Sequence, residues 1–138
     1  MKKRTRFGVE KLVRDKTLER CKKFDIITKS RTISGKEYLY ELKKKLVEEA
    51  EEVLATRDKK DLTEELADVQ EVIDVLMEKI GVDKSRLKEV REEKFKTRGS
   101  FCDGIYVEHV DAIQGSTWYE HYMSQPDKYP VLKDEVDE

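Results

Sequence analysis

Two long apolar stripes at helical spacing, joined by a short polar connector, constrain the fold of this chain more than any other feature of its sequence. The first stripe has apolar residues three or four positions apart: Leu39, Leu42, Leu46, Ala50 and Val53. The second keeps the same period: Leu62, Leu66, Val69, Ile73, Leu76 and Ile80. This spacing places apolar side chains on one face of an α-helix. Because the connector, residues 56–60, is short, we expect an antiparallel hairpin.

Local signals indicate where the two long helices begin and end. Ser34 and Glu37 have the spacing of a capping box, in which a hydroxyl and a carboxylate each accept a hydrogen bond from a backbone N–H. The first long helix is therefore predicted to begin at this box and to end near residue 55. Asp61 is predicted to cap the second long helix, and Gly81 is predicted to end it.

Further helices are predicted on both sides of the hairpin. Apolar spacing predicts a short helix over residues 10–24, followed by a loop or a short extended piece over residues 25–33. Asp83 is predicted to cap another helix that runs to about Lys96. Residues 104–110 alternate apolar and polar side chains, which predicts one short strand.

The predicted fold class is all-α, an antiparallel helical bundle with a short C-terminal strand and an aromatic-rich extension. A chain of 138 residues suits one domain, which we assign to residues 1–110, with residues 111–138 as the C-terminal extension. Charged residues make up 43% of the chain and aromatic residues only 8%, which is typical of helices with much exposed surface.

Charge and apolar content give no reason to expect nucleic acid or a membrane as a partner. The net charge is −2, from 29 basic and 31 acidic residues. No apolar run approaches the roughly 20 residues of a membrane helix, and none follows the basic N-terminus as in a secretory signal. We therefore expect a cytoplasmic protein in which Cys21 and Cys102 are reduced.

Four acidic residues are arranged alike on the two long helices. Glu49 and Glu52 are three apart on the first, and Glu65 and Asp68 are three apart on the second, so each pair shares a helix face. At about 100° per residue, the first acid of each pair lies roughly 60° from its apolar stripe and the second roughly 120°, on matching sides. The hairpin can therefore bring all four carboxylates to one seam, whereas Glu48 is predicted to point away from the core.

A group of carboxylates without His or Cys is a set of hard oxygen ligands. Such ligands suit Mg²⁺, with Mn²⁺ as a substitute, rather than zinc. A solvated acidic face is the other interpretation, because acidic side chains are common in a chain that contains 31 of them. Spacing by itself leaves both interpretations open.

The segments KLVEEAEEV (residues 45–53) and EELADVQEVIDVL (residues 64–76) resemble the MazG-type all-α nucleotide pyrophosphohydrolases. The signature of that family, E-E-x-x-E followed by E-x-x-D, is matched here by Glu48, Glu49 and Glu52, and by Glu65 and Asp68. The resemblance covers roughly residues 10–110. It is nearest to a small single-domain branch whose chains open with K-L-V-R-D-K, here residues 11–16.

The resemblance implies a magnesium-dependent hydrolase in which the four carboxylates hold the metal against the phosphates of a nucleotide. Glu49 and Glu52 would be the catalytic carboxylates, and water would attack phosphorus to release pyrophosphate and leave a nucleoside monophosphate. The basic residues implied to bind the substrate are Lys45, Lys94, Arg98, Arg14 and Lys16.

Three functions fit this sequence. The first is hydrolysis of a nucleoside triphosphate, including a non-canonical one removed as a house-cleaning step. The second is phosphoribosyl-ATP pyrophosphohydrolase activity in histidine biosynthesis, which the resemblance assigns to the same fold and carboxylates. The third is a helical bundle that binds a nucleotide or a protein without turnover.

The sequence also predicts self-association. Val72 and Val75 extend the apolar surface of the second long helix onto the flank that carries Glu65 and Asp68. A two-helix hairpin is not expected to cover that flank by itself, so a second subunit should. We therefore expect a homodimer or a dimer of dimers, with the C-terminal extension packed across a subunit boundary.

Overall fold

A computed structural model describes residues 2–137 of the protein, and all of the regular structure in that range is helical. The helices are α1 (Thr17–Lys23), α2 (Gly35–Ala55), α3 (Lys59–Ile80), α4 (Lys84–Arg98) and α5 (Thr117–Met123). The all-α prediction is confirmed. The strand predicted over residues 104–110 is wrong, because a strand needs an extended neighbour to complete its hydrogen bonds and the described chain supplies none.

The predicted hairpin is formed by α2 and α3, which pack against each other along their lengths. Residues 56–58 join them, and a connection this short between two packed helices makes them antiparallel. The α3 helix ends as predicted at Gly81, whose φ of 74° is the left-handed conformation that glycine adopts without strain.

The predicted starts of α2 and α3 lie close to the observed ones, but the contacts that cap the two helices differ from those predicted. The Ser34 side chain makes no capping hydrogen bond, and Glu37 instead accepts two hydrogen bonds from the Arg31 guanidinium, at 2.7 and 3.0 Å. The α3 cap is Asp58 rather than Asp61, because the Asp58 carboxylate accepts a hydrogen bond of 2.8 Å from the Asp61 backbone N–H. A charge-assisted pair with Arg31 has replaced the predicted capping box.

The segment before α1 is irregular, although a helix was predicted to begin at residue 10. Glu10 has a φ of 47°, which is outside the right-handed helical region, and α1 begins only at Thr17. Two basic side chains of this segment, Lys11 and Arg14, reach the hairpin instead. The segment therefore lies against the hairpin without regular structure, and we call it the N-terminal strap (residues 10–16).

Few apolar side chains of the described chain are fully buried: Leu42, Val72 and Met77. Several members of the predicted core stripe of α3 stay accessible, for example Leu66 at 51% and Ile80 at 57% of their full exposure. Val72 is buried without a second subunit, so the expectation that it needs a partner for cover is wrong. The hairpin buries much less of its apolar surface than the sequence pattern predicts.

The chain divides into two compact units, one ending at Lys94 and the other beginning at Phe95. The first contains the hairpin. The second contains α5 and an aromatic cluster in which the Tyr122 and Tyr129 rings meet edge to face at 4.9 Å, with Trp118 and His121 beside them. None of the described helices is both long enough and apolar enough to span a membrane.

Candidate metal and phosphate site

Three of the four predicted carboxylates meet at the seam of the hairpin. Glu49 extends from α2, and Glu65 and Asp68 extend from α3, so that one oxygen of each lies within 4.8 Å of the others. Glu65 and Asp68 share a face because they are three residues apart on one helix. Glu49 faces them because the helices are antiparallel. All three side chains are half-buried, which limits how well water can screen their charges.

Glu52 lies outside this three-carboxylate cluster. Its side chain is exposed, one turn of α2 beyond Glu49. The carboxylate is nevertheless near enough for its charge to raise the pKa of Glu65. Its role as a metal ligand therefore stays a prediction, and its exposed position leaves it accessible to water.

The pKa of Glu65 is raised above its ordinary value of 4.5. The largest cause is partial loss of water around the carboxyl group, followed by the negative charges of Asp68, Glu52 and Glu49 and a hydrogen bond with Asp68. A bound cation would neutralise these negative charges and remove the repulsion among them. Because the donors are hard oxygens from two rigid helices, the cluster fits Mg²⁺ or Mn²⁺.

Replacing Glu65 with Gln should stabilise the protein when no divalent cation is present. Because folding raises the pKa of Glu65 above 4.5, the folded state binds this proton more tightly than the unfolded state does. Stability should therefore fall as the pH rises from about 4.5 through the raised pKa. In thermal unfolding with a chelator, Glu65→Gln should melt above the parent near neutral pH and level with it at acidic pH.

The neighbouring Glu64 supplies the matched control for this prediction. It is exposed and lies on the same helix outside the cluster, so Glu64→Gln should leave the melting temperature at neutral pH nearly unchanged. A lower melting temperature for Glu65→Gln than for Glu64→Gln would contradict the repulsion argument.

Basic side chains surround the cluster. Arg14, from the N-terminal strap, donates a hydrogen bond of 2.6 Å to Asp68. Lys45, one turn before Glu49 on α2, lies 3.5 Å from the Glu49 carboxylate. Both residues were predicted to bind the substrate, and both are within reach of the carboxylate seam.

Lys11 is a basic residue of the site that sequence reasoning missed. Its Nζ donates a hydrogen bond of 2.8 Å to Glu48, which also pairs with Lys45 at 3.1 Å. Lys11 is the first residue of the K-L-V-R-D-K segment, and that position was the only available signal. Hydrogen bonding with Lys11 is the largest cause of the lowered pKa of Glu48, and the same bond raises the pKa of Lys11.

Glu48, which was predicted to point away from the core, is not a freely exposed acid. Its side chain is only 30% exposed, and Lys11 and Lys45 both pair with it. A cavity of about 120 Å³ lies beside it, lined by Lys11, Leu12, Glu41, Lys44, Lys45 and Glu48.

The remaining predicted basic residues lie at exposed positions. Lys16 directly precedes α1, and Lys94 and Arg98 are four residues apart in the last turns of α4. Their roles in substrate binding stay predictions.

One family model agrees with this geometry. The model for phosphoribosyl-ATP pyrophosphohydrolase matches residues 10–95, which is more than half of the chain and includes the N-terminal strap, the hairpin and the three clustered carboxylates. The chain belongs to this family. Phosphoribosyl-ATP pyrophosphohydrolases are part of the MazG-like all-helical superfamily, so the resemblance inferred from the two carboxylate motifs is confirmed. No curated protein and no solved structure matches the chain significantly.

Membership in the phosphoribosyl-ATP pyrophosphohydrolase family identifies a nucleotide pyrophosphohydrolase, an enzyme that depends on a divalent metal. Among the described residues, the three carboxylates clustered at the hairpin seam are a group that could hold such a metal.

Proposed function

We propose that the protein hydrolyses the α–β phosphoanhydride bond of a nucleoside triphosphate, canonical or modified, with Mg²⁺ held by Glu49, Glu52, Glu65 and Asp68. The supporting observation is the convergence of three of these carboxylates within 4.8 Å in a chain of the pyrophosphohydrolase family. The products are a nucleoside monophosphate and pyrophosphate.

Each side chain of the site has a task in this reaction. A bound metal supplies charge neutralisation at the phosphates and a lowered pKa for water. We assign Glu49 and Glu52 as the catalytic carboxylates. In this assignment the exposed Glu52 holds the metal with one carboxylate oxygen and accepts the proton of the attacking water with the other. The water oxygen bonds to the α-phosphorus, the bridging α–β bond breaks, and pyrophosphate leaves.

The basic residues hold the phosphates during this step. Lys45 and Arg14 lie against Glu49 and Asp68, so both can donate hydrogen bonds to phosphate oxygens beside the carboxylates. We assign Lys16, Lys94 and Arg98 to the same task. Positioning of the triphosphate and stabilisation of its developing charge are the physical sources of the rate.

Phosphoribosyl-ATP is the second candidate substrate, and the description of the matched family favours it. The same phosphoanhydride bond is cleaved in this candidate reaction, so the carboxylates and basic residues keep their tasks. Only the groups that recognise the base and its added ribose phosphate would differ.

Pyrophosphate release distinguishes these candidates. The protein would be incubated with canonical triphosphates, with modified triphosphates and with phosphoribosyl-ATP, each with Mg²⁺ and with a chelator. We expect metal-dependent release from at least one triphosphate. Release from phosphoribosyl-ATP alone would establish the second candidate, and no metal-dependent release from any substrate would indicate a bundle that binds without turnover.

We also propose that the protein self-associates. Tyr40, Val47 and Leu54 are seven residues apart on α2 and form an exposed apolar stripe, with Leu54 at 87% of its full exposure. Exposed apolar residues aligned on one helix face are a candidate contact surface for a second copy. The assembly is a homodimer or a dimer of dimers, and the C-terminal extension packs across a subunit boundary.

A further inference from the structure

Glu48 connects two lysines that come from different parts of the chain. Its Oε1 accepts a hydrogen bond from Lys11 at 2.8 Å, and its Oε2 accepts one from Lys45 at 3.1 Å. We propose that Glu48 is a positioning residue that holds Lys11 and Lys45 as one phosphate-binding pair, and that Lys11 is a further substrate-binding residue. This inference rests on the proposed function, since the bound anion is the polyphosphate of the nucleotide.

The carboxylate is needed because the two ammonium groups repel each other. Lys11 belongs to the irregular N-terminal strap and Lys45 to α2, so no shared backbone element fixes the distance between them. A carboxylate with one oxygen for each ammonium neutralises that repulsion and fixes both side chains. Glu48 can do this because α2 places it one turn from Lys45, on the side covered by the strap.

Both lysines keep hydrogen-bonding capacity for an anion. A lysine ammonium has three N–H donors and no acceptor. Among the described residues, Glu48 is the one side-chain hydrogen-bond acceptor of Lys11, and Glu48 and Glu49 are the two carboxylates within 4.0 Å of the Lys45 Nζ. At least one N–H of each lysine is therefore available to a phosphate oxygen.

The cavity beside Glu48 has the charge that an anion requires. Lys11, Lys44 and Lys45 contribute three positive charges to its lining, against the negative charges of Glu41 and Glu48. Lys45 lines this cavity and also lies 3.5 Å from Glu49, so the cavity adjoins the carboxylate seam. A polyphosphate bound at the carboxylate seam would therefore contact the lysines that line the adjoining cavity.

The test measures binding of inorganic triphosphate in the presence of Mg²⁺ by titration calorimetry. Glu48→Gln and Lys11→Met should each weaken the affinity about tenfold, which is a typical loss for one charge-assisted contact. Combining them should weaken it little further, because both remove the same pair. Glu48→Asp keeps the charge and should recover part of the affinity.

Glu51→Gln is the matched control. Glu51 is an exposed glutamate on the same helix, and none of the ion pairs described at the site involves it. This variant should bind triphosphate like the parent. In turnover assays, Glu48→Gln and Lys11→Met should raise KM about tenfold with a much smaller change in kcat, because they remove binding common to the ground and transition states.

The outcomes separate this inference from the proposed function. A parent protein that neither binds triphosphate nor releases pyrophosphate from any substrate would overturn both. A parent that turns over, with parent-like triphosphate affinity in Glu48→Gln and Lys11→Met, would overturn the inference alone, even if Glu48→Gln lowered the melting temperature. Because Lys11 lies outside any helix, Lys11→Met should fold, and it tests the proposal even if Glu48→Gln does not fold.

Discussion

Glu49→Gln is expected to lower kcat/KM by about a thousandfold or more, equivalent to about 4 kcal/mol of transition-state stabilisation. The substitution keeps the size and polarity of the side chain and removes the charge that a hard cation requires. Glu49 is only 13% exposed, so water cannot readily replace the lost ligand. The measurement is the initial rate of pyrophosphate release at saturating Mg²⁺, with whichever of the candidate triphosphates or phosphoribosyl-ATP the protein hydrolyses fastest.

Glu48→Gln, at the adjacent residue, is the variant to compare with Glu49→Gln. Glu48→Gln should cost about tenfold, through KM, because Glu48 contacts lysines and lies outside the carboxylate cluster. Mg²⁺ should raise the melting temperature of the parent and of Glu48→Gln, but barely that of Glu49→Gln. Equal losses of kcat/KM in the two variants would contradict the helix register and with it the four-ligand assignment.

Val47→Asp is expected to dissociate the protein and lower its melting temperature by about 10 °C, since burying an unpaired charge costs about 3 kcal/mol and each kcal/mol shifts the transition by about 3 °C. Val47 is the middle residue of the exposed stripe that it forms with Tyr40 and Leu54. Few side chains of the described residues are buried within one copy of the chain, so much of the stability should come from the contact between copies.

Light scattering at micromolar concentration, together with thermal unfolding at several concentrations, measures both effects. The parent should be a dimer or a dimer of dimers whose melting temperature rises with concentration. Lys60→Asp places the same new side chain at an exposed polar position on α3 and should change neither property. A monomeric parent, or an equal shift in the two variants, would argue against the stripe as an interface.

The local part of the structure was predictable because it depends on neighbours in sequence. Apolar periodicity located α2 and α3, and Gly81 and Asp83 were correctly assigned to helix ends, since Asp83 does accept a hydrogen bond from the Arg86 backbone N–H at 2.8 Å. The rotation per residue in a helix is nearly constant, so the offset of Glu49 from the core could be calculated before any contact was known.

Local patterns were less reliable where a group outside the pattern competed for the same side chain. Glu37 was predicted to complete a capping box, but the Arg31 guanidinium offers it two donors and a charge, which a backbone N–H cannot match. The strand predicted over residues 104–110 failed for a related reason, because alternation of side chains describes a strand only where an extended neighbour exists.

Sequence by itself determined the two long helices, the short connector between them and the face on which each acid lies, because these depend on backbone geometry repeated every few residues. Only the tertiary structure decided which segment covers each face. The strap brings Lys11 to Glu48 and Arg14 to Asp68, pairs separated by 37 and 54 residues, and it leaves Glu52 exposed beside the cluster. Contacts at that separation depend on the path of the whole chain, which no local period encodes.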